Sequence, residues 1–280
     1  MKTLILFLFT FGLLIPNLFS SEGPNYRDMP LDELVTYMEQ DDPAALHELG
    51  DRHLHGRGVI KDLNVARALW RESAALDYVP AIHTLGLLYY GKVSNPDREE
   101  LAFHDLEEAR RQFEIAAGKG YLPSIYYLGL MNFHGHGRSP DIQKGLENLL
   151  RAAEAEYPDA QATLGSIYFT GLDKKPDYAL ALHWYNKAAE NMQRDAQFHL
   201  ALMYLRGYGI PVDKYKASFW LRIYQDGFGE FDPESVDAAM DMDNREITSD
   251  MIEQAELEFT WEQLEQVHKD IAAWKQSYQP

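Results

Sequence analysis

The sequence predicts an all-α protein, a stack of about five helix-turn-helix repeats with an extra C-terminal helix. Three periodic features predict the stack. Leu-Gly recurs at Leu49-Gly50, Leu85-Gly86, Leu128-Gly129 and Leu164-Gly165, with Leu200-Ala201 in the next slot. The second residues lie 36, 43, 36 and 36 apart, and the odd interval is 36 plus a seven-residue insertion. Twelve residues after the reference position stand Asp62, Asp141, Asp177 and Asp213, and Asp105 joins them once the insertion is allowed for. Small residues keep the same phase: Ala66, Ala109, Gly145, Ala181 and Ala217, then the pairs Ser73-Ala74, Ala116-Ala117, Ala152-Ala153 and Ala188-Ala189. A fixed period of this length marks a repeat architecture.

Taken in order, residues 1–20 read as a signal peptide. A positive start at Met1-Lys2 leads into an apolar run from Leu4 to Ile15, then Pro16 and the small residues Ser20 and Ser21. Cleavage is expected near Ser21, the alternative being an uncleaved anchor. Residues 21–43 form a leading segment, in which Leu31 to Gln40 is a helix covering the front of the first repeat. Residues 44–225 carry the repeats. Ala160 to Phe169 has apolar residues at helical spacing and is a first helix, A. Its central glycine costs about 1 kcal/mol relative to alanine, so its small size is needed where another helix packs against it. Glycine loops end the A helices, at Gly56-Arg57-Gly58, Gly135-His136-Gly137, Gly171 and Gly207-Tyr208-Gly209. The in-register aspartate then falls where helix B begins, for example Tyr178 to Glu190, and can accept from the free N–H groups of its first turn. The insertion lies around Asn95 to Leu101. In the fifth repeat Tyr224-Gln225 replaces the small pair, which marks the end of the regular stack. Residues 226–250 read as an acidic linker and 251–280 as a C-terminal helical segment. There Leu257, Trp261, Leu264, His268, Ile271 and Trp274 fall at helical spacing. That helix either caps the open end or lies in the groove as an internal ligand.

Composition narrows the function classes. The formal net charge is -18, and Asp226 to Asp270 holds 15 Asp and Glu against Arg245 and Lys269. Such a chain is a poor match for a phosphate backbone, so no nucleic-acid partner is expected. With no cysteine there is no disulfide, thiolate zinc site, cysteine nucleophile or lipid-bearing cysteine.

Several residue groups suggest chemistry and are better read otherwise. His53 and His55, and His134 and His136, are two residues apart like metal pairs. They end the A helices of repeats one and three, too far apart to share an ion. Asp241-Met242-Asp243 suggests calcium, but a loop starting there would need glycine at Glu246 and glutamate at Ile252. The in-register aspartates recur at one structural position, as helix caps do. No Gly-x-Ser-x-Gly, phosphate loop or dinucleotide fingerprint appears. Catalytic residues, metal and cofactor are therefore expected to be absent.

The unit Ala196 to Leu221, with Leu200-Ala201, Met203-Tyr204, Gly207-Tyr208-Gly209-Ile210-Pro211, Asp213, Ala217 and Phe219-Trp220, resembles the Sel1-like repeat family, relatives of tetratricopeptide repeats. The resemblance covers about Ala44 to Gln225. It implies a right-handed α-solenoid of about five Sel1-like repeats, an adaptor that binds proteins or peptides, often in envelope-related complexes. In the related tetratricopeptide fold helix A lines the concave surface, at positions three before, one after and four after the reference glycine. Here that face comprises His47, Asp51, His83, Leu87, Tyr90, Tyr126, Leu130, Phe133, Ser166, Phe169, Phe198 and Leu202. Of these, His83, Leu87, Tyr90, Tyr126, Leu130, Phe133, Phe169 and Phe198 are the expected partner-binding residues, unless they belong to the core between helices. The expected function is a periplasmic or secreted adaptor for a protein or peptide. The alternatives are a secreted hydrolase-like relative acting on cell-wall or β-lactam substrates, and a secreted factor acting on host cells. Membrane contact is expected only through an uncleaved signal segment.

Overall fold

The computed structural model describes residues 24–91, 105–171, 175–227 and 238–277, with side chains from 245 onward in the last segment. The signal segment and the insertion around Asn95 to Leu101 lie outside the described residues. Within them the chain is an all-α solenoid of helix pairs, with thirteen α-helices and no strand. It divides into two compact units, one ending at Tyr78 and one beginning at Val79.

The first unit holds a short 3-10 turn (Tyr26–Asp28), α1 (Leu31–Met38), α2 (Pro43–His55) and α3 (Leu63–Ala75). The leading helix expected at Leu31 to Gln40 is α1, and its buried Leu34 packs with Ala45 and Leu49 of α2. Arg52, 6% exposed, ties the N-terminal turn to α2 by donating to the carbonyls of Tyr26 and Met29 and to Glu48. The second unit continues with α4 (Val79–Tyr90), α5 (Leu106–Gly118), α6 (Leu122–His134), α7 (Ile142–Glu154), α8 (Pro158–Thr170) and α9 (Tyr178–Glu190). Then come α10 (Arg194–Arg206), α11 (Lys214–Asp226), α12 (Ala238–Glu256) and α13 (Trp261–Ser277). The even-numbered helices from α2 to α10 are the A helices and α3 to α11 the B helices. Each pair packs on itself and, in the second unit, on the pair that follows.

The aspartates are the caps that their spacing predicts. Asp62 accepts from the backbone N–H of Asn64 and Val65, Asp105 from Glu108, Asp141 from Lys144, Asp177 from Leu180 and Asp213 from Lys216. Each cap also anchors its own N–H on the last turn of the A helix, Asp177 on the Tyr168 carbonyl and Asp213 on that of Tyr204. Asp105 makes the same bond to Tyr89 across the insertion, so the register is regained at the cap.

The reference glycines lie where A and B helices cross. A Cβ at Gly50 would fall 2.5 Å from the Trp70 indole, at Gly86 2.5 Å from the Phe113 ring, at Gly129 2.9 Å from Leu149 and at Gly165 2.5 Å from the Tyr185 ring. The partners Trp70, Phe113, Leu149 and Tyr185 are themselves in register and fully buried. They form a fourth periodic feature, an apolar residue twenty positions after the reference glycine once the insertion is discounted. In the fifth repeat Ala201 and Leu221 occupy these two positions, both at 0% exposure. Gly145 replaces alanine in its slot because the Phe133 backbone lies there, with its nitrogen 2.7 Å from where a Cβ would sit.

The C-terminal region corrects the expected linker. α12 begins at Ala238, inside the stretch read as an acidic linker, and buries Thr248, Ile252 and Ala255. These residues share one face of the helix, while Glu246, Asp250 and Glu253 are exposed elsewhere on it. α12 and α13 both pack on α11, the last B helix. Glu256 accepts from Arg222 through Nε (2.7 Å) and Nη2 (2.6 Å), and from the Ser218 hydroxyl. Tyr215 donates to Asp270 at 2.7 Å, and the Trp274 ring meets Trp220 edge-on at 5.7 Å. The terminal helix therefore covers the last B helix, as the capping alternative requires.

Candidate binding groove

The open face of the A helices in the second unit contains a cavity of about 300 Å³. α8 supplies Asp159, Thr163 and Ser166, α10 supplies Asp195 and His199, and α6 supplies Tyr126 at the edge. The floor is Tyr185 of α9. Local sequence places these groups. Pro158 opens α8 at its first position and Asp159 follows. Gln193 caps α10 by accepting from the Ala196 N–H at 2.8 Å, which sets Asp195 in the first turn. The result is two carboxylates one repeat apart, each at a helix N-terminus where negative charge is favoured.

The aromatic groups below them are held firmly. Tyr126 is half-buried, its hydroxyl 3.3 Å from Thr163 Oγ1 and its ring edge-on to Tyr127. Burial raises its phenol pKa, and the Asp159 and Asp195 carboxylates add to the rise. Tyr185 is 1% exposed, and burial pushes its pKa up to about 12, with Asp195 contributing. Its ring stacks on the His199 imidazole at 5.1 Å and 14°. His199 Nδ1 lies 2.8 Å from the Asp195 carbonyl. A carbonyl can only accept, so Nδ1 carries the proton and Nε2 presents its lone pair.

The expected binding residues distribute differently. Of the eight, Tyr126 lines the cavity. His83 is buried, with Nδ1 2.9 Å from Ser124 Oγ and its ring among Phe113, Tyr121 and Tyr127. It is therefore core rather than open face. Tyr90 turns to the α6–α7 loop, where its hydroxyl meets His136 Nδ1 at 2.5 Å. Leu87 and Leu130 are half-buried against the same core. The ring of Phe133 sits edge-on to His134. Phe169 packs among Tyr178, Tyr185 and Tyr208, and Phe198 packs on Tyr224. Besides Tyr126 and Ser166 at expected positions, the cavity is lined from positions two and six before the reference residue, Thr163 and His199, Asp159 and Asp195. Both pairs are 36 apart, so the repeat register carried the signal.

The histidine pairs also have structural partners. His53 Nδ1 lies 2.9 Å from the Ile60 carbonyl, and His134 stacks on His136. Among the described residues no group of three or more His, Asp or Glu side chains could hold a metal ion. Nor is any described helix long and apolar enough to cross a membrane.

The Sel1 repeat model matches residues 43–78, 122–157, 158–191 and 194–223, the pairs α2–α3, α6–α7, α8–α9 and α10–α11. The chain is a Sel1 repeat protein. The pair α4–α5 lies between matched segments and keeps the Sel1 pattern seen elsewhere in the chain, with Gly86 on Phe113 and the Asp105 cap. Among solved structures, a Sel1 repeat protein from Oxalobacter formigenes is 24% identical, with a TM-score of 0.62 over 82% of this chain and 94% of that one. The antigen c5321 of uropathogenic Escherichia coli, which displays an SLR fold, is 21% identical with a TM-score of 0.58, over 89% of this chain and 59% of that one. At these identities the likeness concerns the fold alone. A comparison with curated proteins finds no match.

Proposed function

We propose that this Sel1 repeat protein is an exported adaptor that holds a protein or peptide partner on the open face of its A helices, in an envelope-associated complex. Sel1 repeat solenoids are generally protein-interaction scaffolds and typically non-catalytic. The observation that carries the reading is the groove itself: successive A helices α6, α8 and α10 present half-buried Tyr126, Thr163 and His199 and exposed Asp159, Ser166 and Asp195 around one cavity. The N-terminal order of charge, apolar run and small residues supports export.

Export is checked by mass spectrometry of the chain recovered from cells. The expected mature N-terminus lies near Ser21, and an intact Met1 in a soluble cytoplasmic pool would overturn export while leaving the adaptor reading standing. Partner binding is tested with Tyr126→Ala on the groove and Lys187→Ala on α9. Lys187 packs over the Trp184 ring, 5.6 Å from its centroid, on a B helix. With both variants folded by circular dichroism, a partner cross-linked from envelope extract should bind Tyr126→Ala about thirtyfold more weakly, the effect of losing about 2 kcal/mol at an aromatic anchor. Lys187→Ala should bind as wild type. The reverse ranking would place the partner on the B helices.

A further inference from the structure

We propose that the cavity between α8 and α10 receives the side chain of an arginine carried on a segment of the partner protein. The inference rests on the adaptor reading and adds the chemistry of recognition. Asp159 and Asp195 face the cavity, and no lysine or arginine lines it. The same slot holds Ala44, Pro80 and Pro123 in the other repeats, so the repeat itself does not require an acid there. A helix N-terminus explains why a carboxylate is tolerated, but not what lies beneath it.

Beneath it lies the Tyr185 hydroxyl, buried without a partner in hydrogen-bond geometry although Ser166 stands beside it. Buried hydroxyls are rarely left unpaired, because the lost hydration is not replaced. Tyr185 and its neighbour Ser166 are both among the residues that line the cavity. Two carboxylates are the charged groups of the lining, beside the Thr163 and Ser166 hydroxyls and the His199 ring, whose Nδ1 lies against the Asp195 carbonyl. Two carboxylates with no cation beside stacked aromatic rings suit a planar cation with several donors. Guanidinium carries five N–H donors in a fixed fork and stacks on aromatic faces, whereas an ammonium is a compact point charge. A free arginine would bring its own carboxylate beside Asp159 and Asp195 with no cation to receive it. The occupant is therefore an arginine side chain within a polypeptide.

The test is calorimetric titration of the mature chain, at low ionic strength, with a blocked five-residue peptide bearing a central arginine. The same peptide with citrulline, which keeps the shape and loses the charge, is the comparison, with free L-arginine as a third ligand. The arginine peptide should bind saturably. Citrulline in its place, or the double substitution Asp159→Asn with Asp195→Asn, should each weaken binding about tenfold or more, as loss of charge-assisted hydrogen bonds does. Free arginine should bind more weakly than the peptide. Glu147→Gln with Glu154→Gln, both on α7 and outside the cavity's lining, should change nothing and controls for the loss of two charges. Equal binding of the citrulline peptide, an unchanged double variant, free arginine binding as tightly as the peptide, or no saturable binding of the arginine peptide would each overturn the proposal. A partner whose affinity falls with Tyr126→Ala but ignores the double aspartate substitution would also overturn it, and would leave the adaptor reading intact.

Discussion

Gly165→Leu is expected to destabilise the fourth repeat by about 3 kcal/mol, the upper end of overpacking penalties. A Cβ at Gly165 would already lie 2.5 Å from Cδ1 and 2.7 Å from Cε1 of Tyr185, a ring that is 1% exposed and has nowhere to move. Leucine adds three further carbons at the same crossing. Interiors are packed to crystal-like density, so the strain is relieved only by parting α8 from α9. In a repeat stack each unit contacts its neighbours alone, so a parted pair also weakens the interfaces on either side. Gly165→Ala should cost about 1–2 kcal/mol for the Cβ alone. Adding Tyr185→Leu to Gly165→Ala should recover part of that loss, because Ala201 and Leu221 already coexist at these positions in the fifth repeat. Urea unfolding of the three variants provides the check. A Gly165→Leu midpoint equal to wild type would mean that the glycine is not at a helix contact.

Glu256→Ala is expected to release the terminal helices from α11 at a cost of about 2–3 kcal/mol. The side chain is 12% exposed and accepts two hydrogen bonds from Arg222 and one from Ser218, linking residues 34 and 38 positions apart. Removing it strands a partly buried guanidinium and a fully buried hydroxyl, and it is the unpaired partners that carry the penalty. Burial alone would raise the carboxyl pKa, but the bonds from Arg222 and Ser218 outweigh burial and hold it below the ordinary glutamate range. A carboxylate whose folded pKa is depressed contributes stability above its unfolded pKa, and that contribution is lost as pH falls through the folded value. The stability difference between wild type and Glu256→Gln should therefore be full near pH 7 and shrink below about pH 4. Urea midpoints of the two proteins at pH 7 and pH 3 measure it. A difference that stays constant with pH would remove Glu256 from the attachment.

The sequence alone determined the repeat register, the helix caps and the helix crossings of this protein, because each is a local or strictly periodic constraint. Asp177 reaches the N–H of a residue three positions on whatever the rest of the chain does. Gly165 must be small wherever an A helix crosses its B helix. Only the tertiary structure decided which side of each A helix stays open. His83 stands three residues before its reference glycine, as Tyr126 does, yet four aromatic or hydroxyl side chains from α5, the N-cap of α6 and α6 itself close over it: Phe113, Tyr121, Ser124 and Tyr127. Periodicity could not show this, since rotation of a helix about its axis is set by the side chains packed against it and not by its own spacing. The acidic tail makes the same point. Its composition resembles a linker, but Thr248, Ile252 and Ala255 find an apolar face on α11, and burying that seam holds the helix in place where charge counting saw none.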